Sequence, residues 1–154
     1  MNAMDAPLNL LLLGGSGFVG SHVADALAEA GHEVTVADIV PSPHLRDGQT
    51  FVECDVTDAG AVLAAVAGHD VVYHFAGLAD IAETRDRARE TALVNVAGTV
   101  NLLEAARQAG ARRFVFASTI YVVGEAGSFY RVSKQSAELY VEEYEREYGL
   151  PYTI

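Results

Sequence analysis

The 154-residue sequence predicts an α/β protein: a doubly wound parallel sheet covered by helices on both faces, three layers (α/β/α) in a single domain. Three observations carry that expectation. Short apolar runs of strand length recur along the chain, segments with a helical apolar period separate them, and glycines follow helical segments where a left-handed residue satisfies the last carbonyls. Buried strands alternating with helices imply parallel pairing, because a crossover helix must carry the chain back to the edge where the previous strand began. In such sheets ligands sit at the carboxyl ends of the strands, near the point where the strand order reverses.

Taken in order, "LNLLLL" (8–13) reads as the first strand. Glycines at 14, 17 and 20 follow it, then a helix with Val19, Val23, Leu27 and Ala30 on one face and Gly31 at its end. "EVTVAD" (33–38) is the second strand, "VPSPHLRDGQ" (40–49) an exposed loop rich in turn formers, and "TFVECD" (50–55) the third strand. A helix closed by Gly68 leads to the fourth strand, "DVVYHFA" (70–76). "ETRDRARE" (83–90) reads as a solvated helix with i,i+4 pairs. A long helix over 95–109 follows, continuing an apolar stripe of Leu93, Val96, Val100 and Leu103, and Gly110 closes it. "RFVFAS" (113–118) is the fifth strand, and a second long helix over 131–148 carries Ala137, Val141, Tyr144 and Tyr148. After turns at Gly149 and Pro151 a sixth strand begins at the last residues. Residues 1–6 read as a loose tail, leaving 7–154 as the domain.

A net charge of −11 and a pI near 4.7 leave no basic stripe, so nucleic acid and anionic membrane surfaces are not expected partners. Cys54 is the sole cysteine, which rules out an internal disulfide and a multi-thiolate metal site and fits a reducing cytoplasm. The apolar run at 8–13 is too short to span a bilayer, and no basic segment precedes it as in a signal peptide. A soluble cytoplasmic protein is the expectation, with no metal.

The glycines at 14, 17 and 20 lie directly between a strand and a helix. Glycine there lets the backbone turn tightly and approach a pyrophosphate, whose charge is met by the unpaired N–H groups of the helix start. Asp38 closes the second strand 18 residues after Gly20, where its carboxylate accepts from ribose hydroxyls and repels a 2′-phosphate. NAD is therefore expected over NADP, with Arg46 a distant alternative phosphate partner. Asp55 is similarly placed after the third strand for an adenine amino group, and equally suited to a turn or a helix cap.

"YRVSK" (130–134) puts Tyr130 and Lys134 four apart, on one face of a helix. An ammonium near a phenol favours the phenolate, which would lower the pKa of Tyr130 and suit it to acid/base work.

Together with "HFAG" (74–77), "NVAGTVNLLEAAR" (95–107) and "FASTIYVVG" (116–124), these motifs resemble the extended short-chain dehydrogenase/reductase family, particularly its NAD-dependent sugar epimerases and dehydratases. The resemblance implies a Rossmann-type fold with NAD against Gly14, Gly17, Phe18, Val19, Gly20, Asp38, Asp55, Val56, Phe75, Ala76, Gly77, Asn95, Ser118, Tyr130 and Lys134. It further implies that Thr119 hydrogen-bonds the reacting sugar oxygen, Tyr130 moves the proton and Lys134 binds the nicotinamide ribose. The reaction implied is hydride transfer at a carbinol of a nucleotide sugar. Asn95 resembles the asparagine that orders the helix beside the site, a local backbone bond being its alternative. For His74 the resemblance implies a backbone near the cofactor, and the ring reads as a satisfied core histidine.

The chain departs from the family in three places. Dehydratases and decarboxylases carry an acid just after the Ser/Thr, where this sequence has Ile120 and Tyr121, so 4-epimerase or reductase chemistry is favoured. Only "EAGSF" (125–129) separates the turn from Tyr130, a short connection expected to displace the tyrosine. The smaller C-terminal substrate domain has no counterpart in the sequence. A non-catalytic NAD-binding sensor or subunit is thus the competing expectation, ahead of an interaction protein with a vestigial site. The sheet edge begun at Thr153 and Ile154, and the helices at 95–109 and 131–148, lead to an expected homodimer or a separate partner chain.

Overall fold

The computed structural model describes residues 6–154, so the tail expected over 1–6 lies, apart from Ala6, outside the described residues. Six parallel strands form one sheet: β1 (Asn9–Leu13), β2 (Glu33–Asp38), β3 (Gln49–Glu53), β4 (Val71–His74), β5 (Arg113–Phe116) and β6 (Tyr152–Thr153). Their spatial order is β3-β2-β1-β4-β5-β6, so the order reverses between β1 and β4, and the clefts above those two strands are the natural ligand site.

Alternation along β1 builds both faces of the core. Leu10 and Leu12 pack with Ala24 of α1 (Phe18–Glu29), Val34 and Val36 on one side. Leu11 and Leu13 pack on the other with Val62 and Val66 of α2 (Ala59–Val66), with Leu102, Leu103, Phe114 and Val141. Side chains that alternate across the pleat and are apolar on both faces need helices on both sides, which is the three-layer arrangement expected.

The expected single helix over 83–90 is two: α3 (Ile81–Asp86) and α4 (Ala88–Ala92), broken at Arg87 with φ −122° and ψ 41°. Thr84 and Thr91 are buried beneath them, so the segment is not solvated all round. Arg87 does pair with Glu83 at i,i+4, and also with Glu90. A π-turn over Leu93–Ala97 then leads into α5 (Gly98–Ala109). A 3₁₀ turn (Ile120–Val123) precedes α6 (Ser128–Tyr148). Gly31, Gly68, Gly110 and Gly149 all take positive φ, as their places after helical stretches predict. Among the described residues no helix is long and apolar enough to cross a membrane.

Candidate functional site: a dinucleotide cleft beside a Thr-Tyr-Lys cluster

The glycine turn is built by close approach. Gly14 follows β1 with φ +80°, and a Cβ there would stand 2.2 Å from the Ala76 nitrogen. Phe75 and Ala76 donate their N–H groups to the Leu13 carbonyl at 2.7 and 2.9 Å, and Gly14 donates to Ala37 at 2.8 Å, so the turn is pinned to the ends of β2 and β4. A Cβ on Gly20 would meet the Gly14 oxygen at 2.5 Å, which is why α1 can lie so near the turn. Gly17 caps α1 and offers no side-chain oxygen to its leading N–H groups. Those groups and the positive helix end are therefore open to an anion, while Phe18, 82% exposed, lines a separate pocket with Ser16 and Ser21.

The cleft, about 620 Å³, is lined by Gly14, Gly17, Asp38, Asp55, Val56 and the backbone stretch Phe75–Gly77, among others. Of the residues expected against NAD, Phe18, Val19, Gly20, Asn95, Ser118, Tyr130 and Lys134 do not line it; Gly20 packs against the turn from beneath. The Asp38 carboxylate is held by the Ser16 N–H at 3.0 Å and the Ile39 N–H at 2.8 Å, which fixes it as an acceptor at the end of β2. Arg46, the alternative phosphate partner, is engaged elsewhere by Asp25 at 2.7 Å and Glu29 at 3.2 Å. Asp55 holds Thr57 through its N–H and hydroxyl, both at 2.8 Å, while the cap of α2 is supplied by Asp58. Val56 turns its side chain onto Gly98, where a Cβ would come within 2.7 Å of it. Arg87, Glu90, Leu93 and Val94 also line the cleft, a wall that reading 83–90 as solvated surface missed. The glycine cradle, the uncapped helix start and the fixed carboxylate fit a dinucleotide.

After β5, beyond the residues that line the cleft, Thr119 caps the 3₁₀ turn by accepting from the Tyr121 N–H at 3.4 Å. Its hydroxyl also neighbours the Tyr130 phenol. Lys134 is 5% exposed; its Nζ donates to the Ala117 carbonyl at 2.8 Å and lies 6.0 Å from the Tyr130 ring centre and 4.6 Å from that of Phe116. With the short 125–129 connection in place, Tyr130 neighbours both Thr119 and Lys134. Gln135 secures the 3₁₀ turn by donating to the Val122 carbonyl at 2.6 Å. Gly127 makes the tight entry to α6 with φ +104°, its Cβ position 3.0 Å from Tyr121.

Asn95 sits in the π-turn and is buried, and its bonds are long-range. Its Oδ1 accepts from the Leu78 N–H at 2.8 Å, and its Nδ2 donates to the Leu78 carbonyl and to Ser133 Oγ, each at 2.9 Å. The local backbone bond considered for it is not what the side chain makes. Ser133 in turn donates to the Tyr130 carbonyl at 2.8 Å, so the loop after β4 is tied to the start of α6. Ser118 donates to Glu138, a residue that spacing alone had not singled out.

The electrostatics differ from the simple Tyr/Lys expectation. Burial pushes the Tyr130 phenol up, the Thr119 hydroxyl opposes this, and Tyr121 adds to the rise; the net direction is up, not down. Lys134 is lowered to about 8 by burial, with Glu138 opposing. His74 is fully buried and lowered to about 3, by burial first and by Lys134 second, so its ring is neutral. Its Nε2 pairs with Thr99 Oγ1 at 2.8 Å while its Nδ1 has no partner, so the core histidine is half satisfied.

A parallel sheet whose first strand ends in a glycine cradle, with a fixed acid on the second and a buried lysine on the last helix, defines a dinucleotide-binding protein of the Rossmann type. The chain belongs to the NAD-dependent epimerase/dehydratase family, whose model matches residues 10–154. It is 41% identical over 119 residues to a 3-beta-hydroxysteroid dehydrogenase of Mycolicibacterium neoaurum, covering 74% of this chain and 32% of that protein. It is 34% identical over 130 residues to a UDP-glucose 4-epimerase of Klebsiella pneumoniae, covering 77% of this chain and 94% of that one. Among solved structures, the Thermus thermophilus UDP-glucose 4-epimerase in complex with NAD superposes with a TM-score of 0.87 at 32% identity, over 94% of this chain and 53% of that one. The Thermotoga maritima UDP-glucose 4-epimerase with UDP-glucose gives the same four values. The chain thus spans about half the length of these solved relatives and about a third of the steroid dehydrogenase.

Proposed function

We propose that the chain binds NAD(H) in the cleft and, with a nucleotide sugar or similar carbinol as substrate, takes part in hydride transfer of the 4-epimerase or reductase kind. The observation that carries this reading is the meeting of Thr119, Tyr130 and the buried Lys134 after β5, the strand next to β4, whose outlet lines a cleft that fits a dinucleotide. NAD, when bound, supplies the hydride acceptor or donor. Gly14 and Gly17 let the backbone reach the pyrophosphate, and Asp38 accepts from the adenosine ribose. Lys134 binds the other ribose, Thr119 donates to or accepts from the reacting oxygen, and Tyr130 gives or takes its proton. With its phenol pushed up, Tyr130 holds the proton at neutral pH and is ready as the acid of the reductive direction; the oxidative direction gains as pH rises. Ile120 and Tyr121, where an acid would assist loss of water or carbon dioxide, support epimerase or reductase chemistry. The reading places the protein in a reducing cytoplasm, where Cys54 stays a thiol.

Fluorescence titration with NADH and assay of UDP-glucose against its 4-epimer test the proposal. Tyr130→Phe keeps the ring and loses the proton, so it should retain NADH affinity within about twofold and abolish turnover. NADH binding without turnover in the wild type would favour the non-catalytic NAD-binding subunit, and absence of NADH binding would overturn both.

The reading includes a second copy packed on α5 and α6, where Leu139 is 67% and Tyr140 45% exposed. Sedimentation equilibrium at micromolar concentration should return twice the 16.4 kDa chain mass; a monomer that persists as concentration rises refutes the dimer.

A further inference from the structure

Lys134 is the only lysine in the chain, and it is buried. An ammonium at that depth calls for a compensating charge, and the groups facing it narrow the choice. From β4 comes His74, a neutral ring. On α6 itself the Tyr130 ring centre lies 6.0 Å from Nζ, and its phenol is pushed up and so uncharged at neutral pH. The remaining group is Glu138, one turn beyond Lys134 on the same face of α6, whose charge favours the ammonium.

Glu138 is anchored. It accepts the Ser118 hydroxyl, and Ser118 lies between Ala117, whose carbonyl accepts from Lys134, and Thr119. Two adjacent ties therefore join the outlet of β5 to successive turns of α6, Ala117 to Lys134 and Ser118 to Glu138. Thr119 is the next residue along the outlet, so where its hydroxyl stands relative to Tyr130 follows from these ties. Tyr130, Lys134 and Glu138 recur every four residues, which puts the proton carrier, the ammonium and the anchor on one stripe.

We propose that Glu138 is a positioning residue of the hydride-transfer site: through Ser118 it clamps the strand outlet bearing Thr119 to α6, and its carboxylate is the counter-charge of the buried Lys134 ammonium. The proposal rests on the reading of Thr119, Tyr130 and Lys134 given above, but its physical core is measurable with no substrate or cofactor. Because Lys134 is the sole lysine, the full chain labelled with ¹³C-lysine gives one side-chain signal whose titration belongs to that residue.

The wild type should titrate near the value of about 8 that burial sets. Glu138→Gln keeps an oxygen for Ser118 and removes the charge, so its midpoint should fall by about half a unit or more. Ser118→Ala keeps the charge but frees the carboxylate to swing into water, so its midpoint should fall in the same direction by less. Glu138→Asp should recover part of the Glu138→Gln shift. An unchanged midpoint in Glu138→Gln overturns the counter-charge, and one unchanged in Ser118→Ala overturns the clamp. Should the wild type show turnover, Ser118→Ala should lower kcat about tenfold or more with KM within twofold; full kcat would also overturn the clamp. Failure of NADH binding or turnover in the wild type would refute the proposed function and leave these midpoints readable.

Discussion

Replacing Lys134 with methionine should make the protein more stable at neutral pH, and the gain should vanish in alkali. Burial lowers the Lys134 pKa from 10.5 to about 8. The difference, 10.5 − 8, is about 2.5 units, and at 1.36 kcal/mol per unit the folded state carries about 3.4 kcal/mol of unfavourable free energy for holding the ammonium at pH 7. The sign follows from proton counts. Between pH 8 and 10.5 the unfolded chain keeps the lysine proton and the folded chain has lost it, so wild-type stability from this group rises with pH through that window and is lowest below it. Methionine has no proton to titrate. It also forfeits the bond to the Ala117 carbonyl, worth about 1–2 kcal/mol, so Lys134→Met should be more stable by about 1.5–2.5 kcal/mol at pH 7. Integrating the two pKa values from pH 7 to pH 10 gives a swing of about 2.5 kcal/mol in favour of the wild type. Urea unfolding of both chains at pH 7, 8, 9 and 10 measures it, provided the transitions are two-state. A stability difference flat to within about 0.5 kcal/mol across that range would show that the ammonium is not desolvated as its burial requires. If the swing is found, a costly charge is being retained in the packed interior beside Tyr130, which is how a group kept for binding or chemistry behaves.

Asp38→Ala should narrow any preference for NADH over NADPH by about tenfold, since the carboxylate fixed by Ser16 and Ile39 is where a 2′-phosphate would come; calorimetry with both cofactors reads the ratio, and an unchanged ratio removes Asp38 from the ribose site. Gly14→Ala places a Cβ at 2.2 Å from the Ala76 nitrogen at φ +80° and should cost about 3 kcal/mol or more in urea unfolding. Gly48→Ala has a comparable φ of +89° with nothing within 4 Å and should cost about 1 kcal/mol, so equal losses at the two positions would refute close approach as the reason for Gly14.

Features set by local geometry were legible in the sequence. The glycines after helical segments, the cradle between β1 and α1, Asp38 at the end of β2 and the Tyr130–Lys134 face each depend on residues within a few positions, where steric and helical periods act directly. Alternation of apolar runs with helices was enough for a doubly wound parallel sheet, because such strands have no other way to bury both faces. Periodicity misjudged 83–90 because charged residues at surface spacing do not reveal that Thr84 and Thr91 beneath them are buried, or that the chain kinks at Arg87 and turns a wall toward the cleft.

The partners of the site were decided by the tertiary structure alone. The crossovers that set the order β3-β2-β1-β4-β5-β6 bring Leu78 to Asn95, Asn95 to Ser133, and Ser118 to Glu138, pairs 17, 38 and 20 residues apart. Desolvation is likewise a property of the packed molecule: it raised Tyr130 where an adjacent ammonium alone would have lowered it, and it brought Lys134 down toward neutrality. Spacing along a helix says which side chains share a face. Only the packed neighbours determine how much water that face keeps, and with it which of those side chains carries charge.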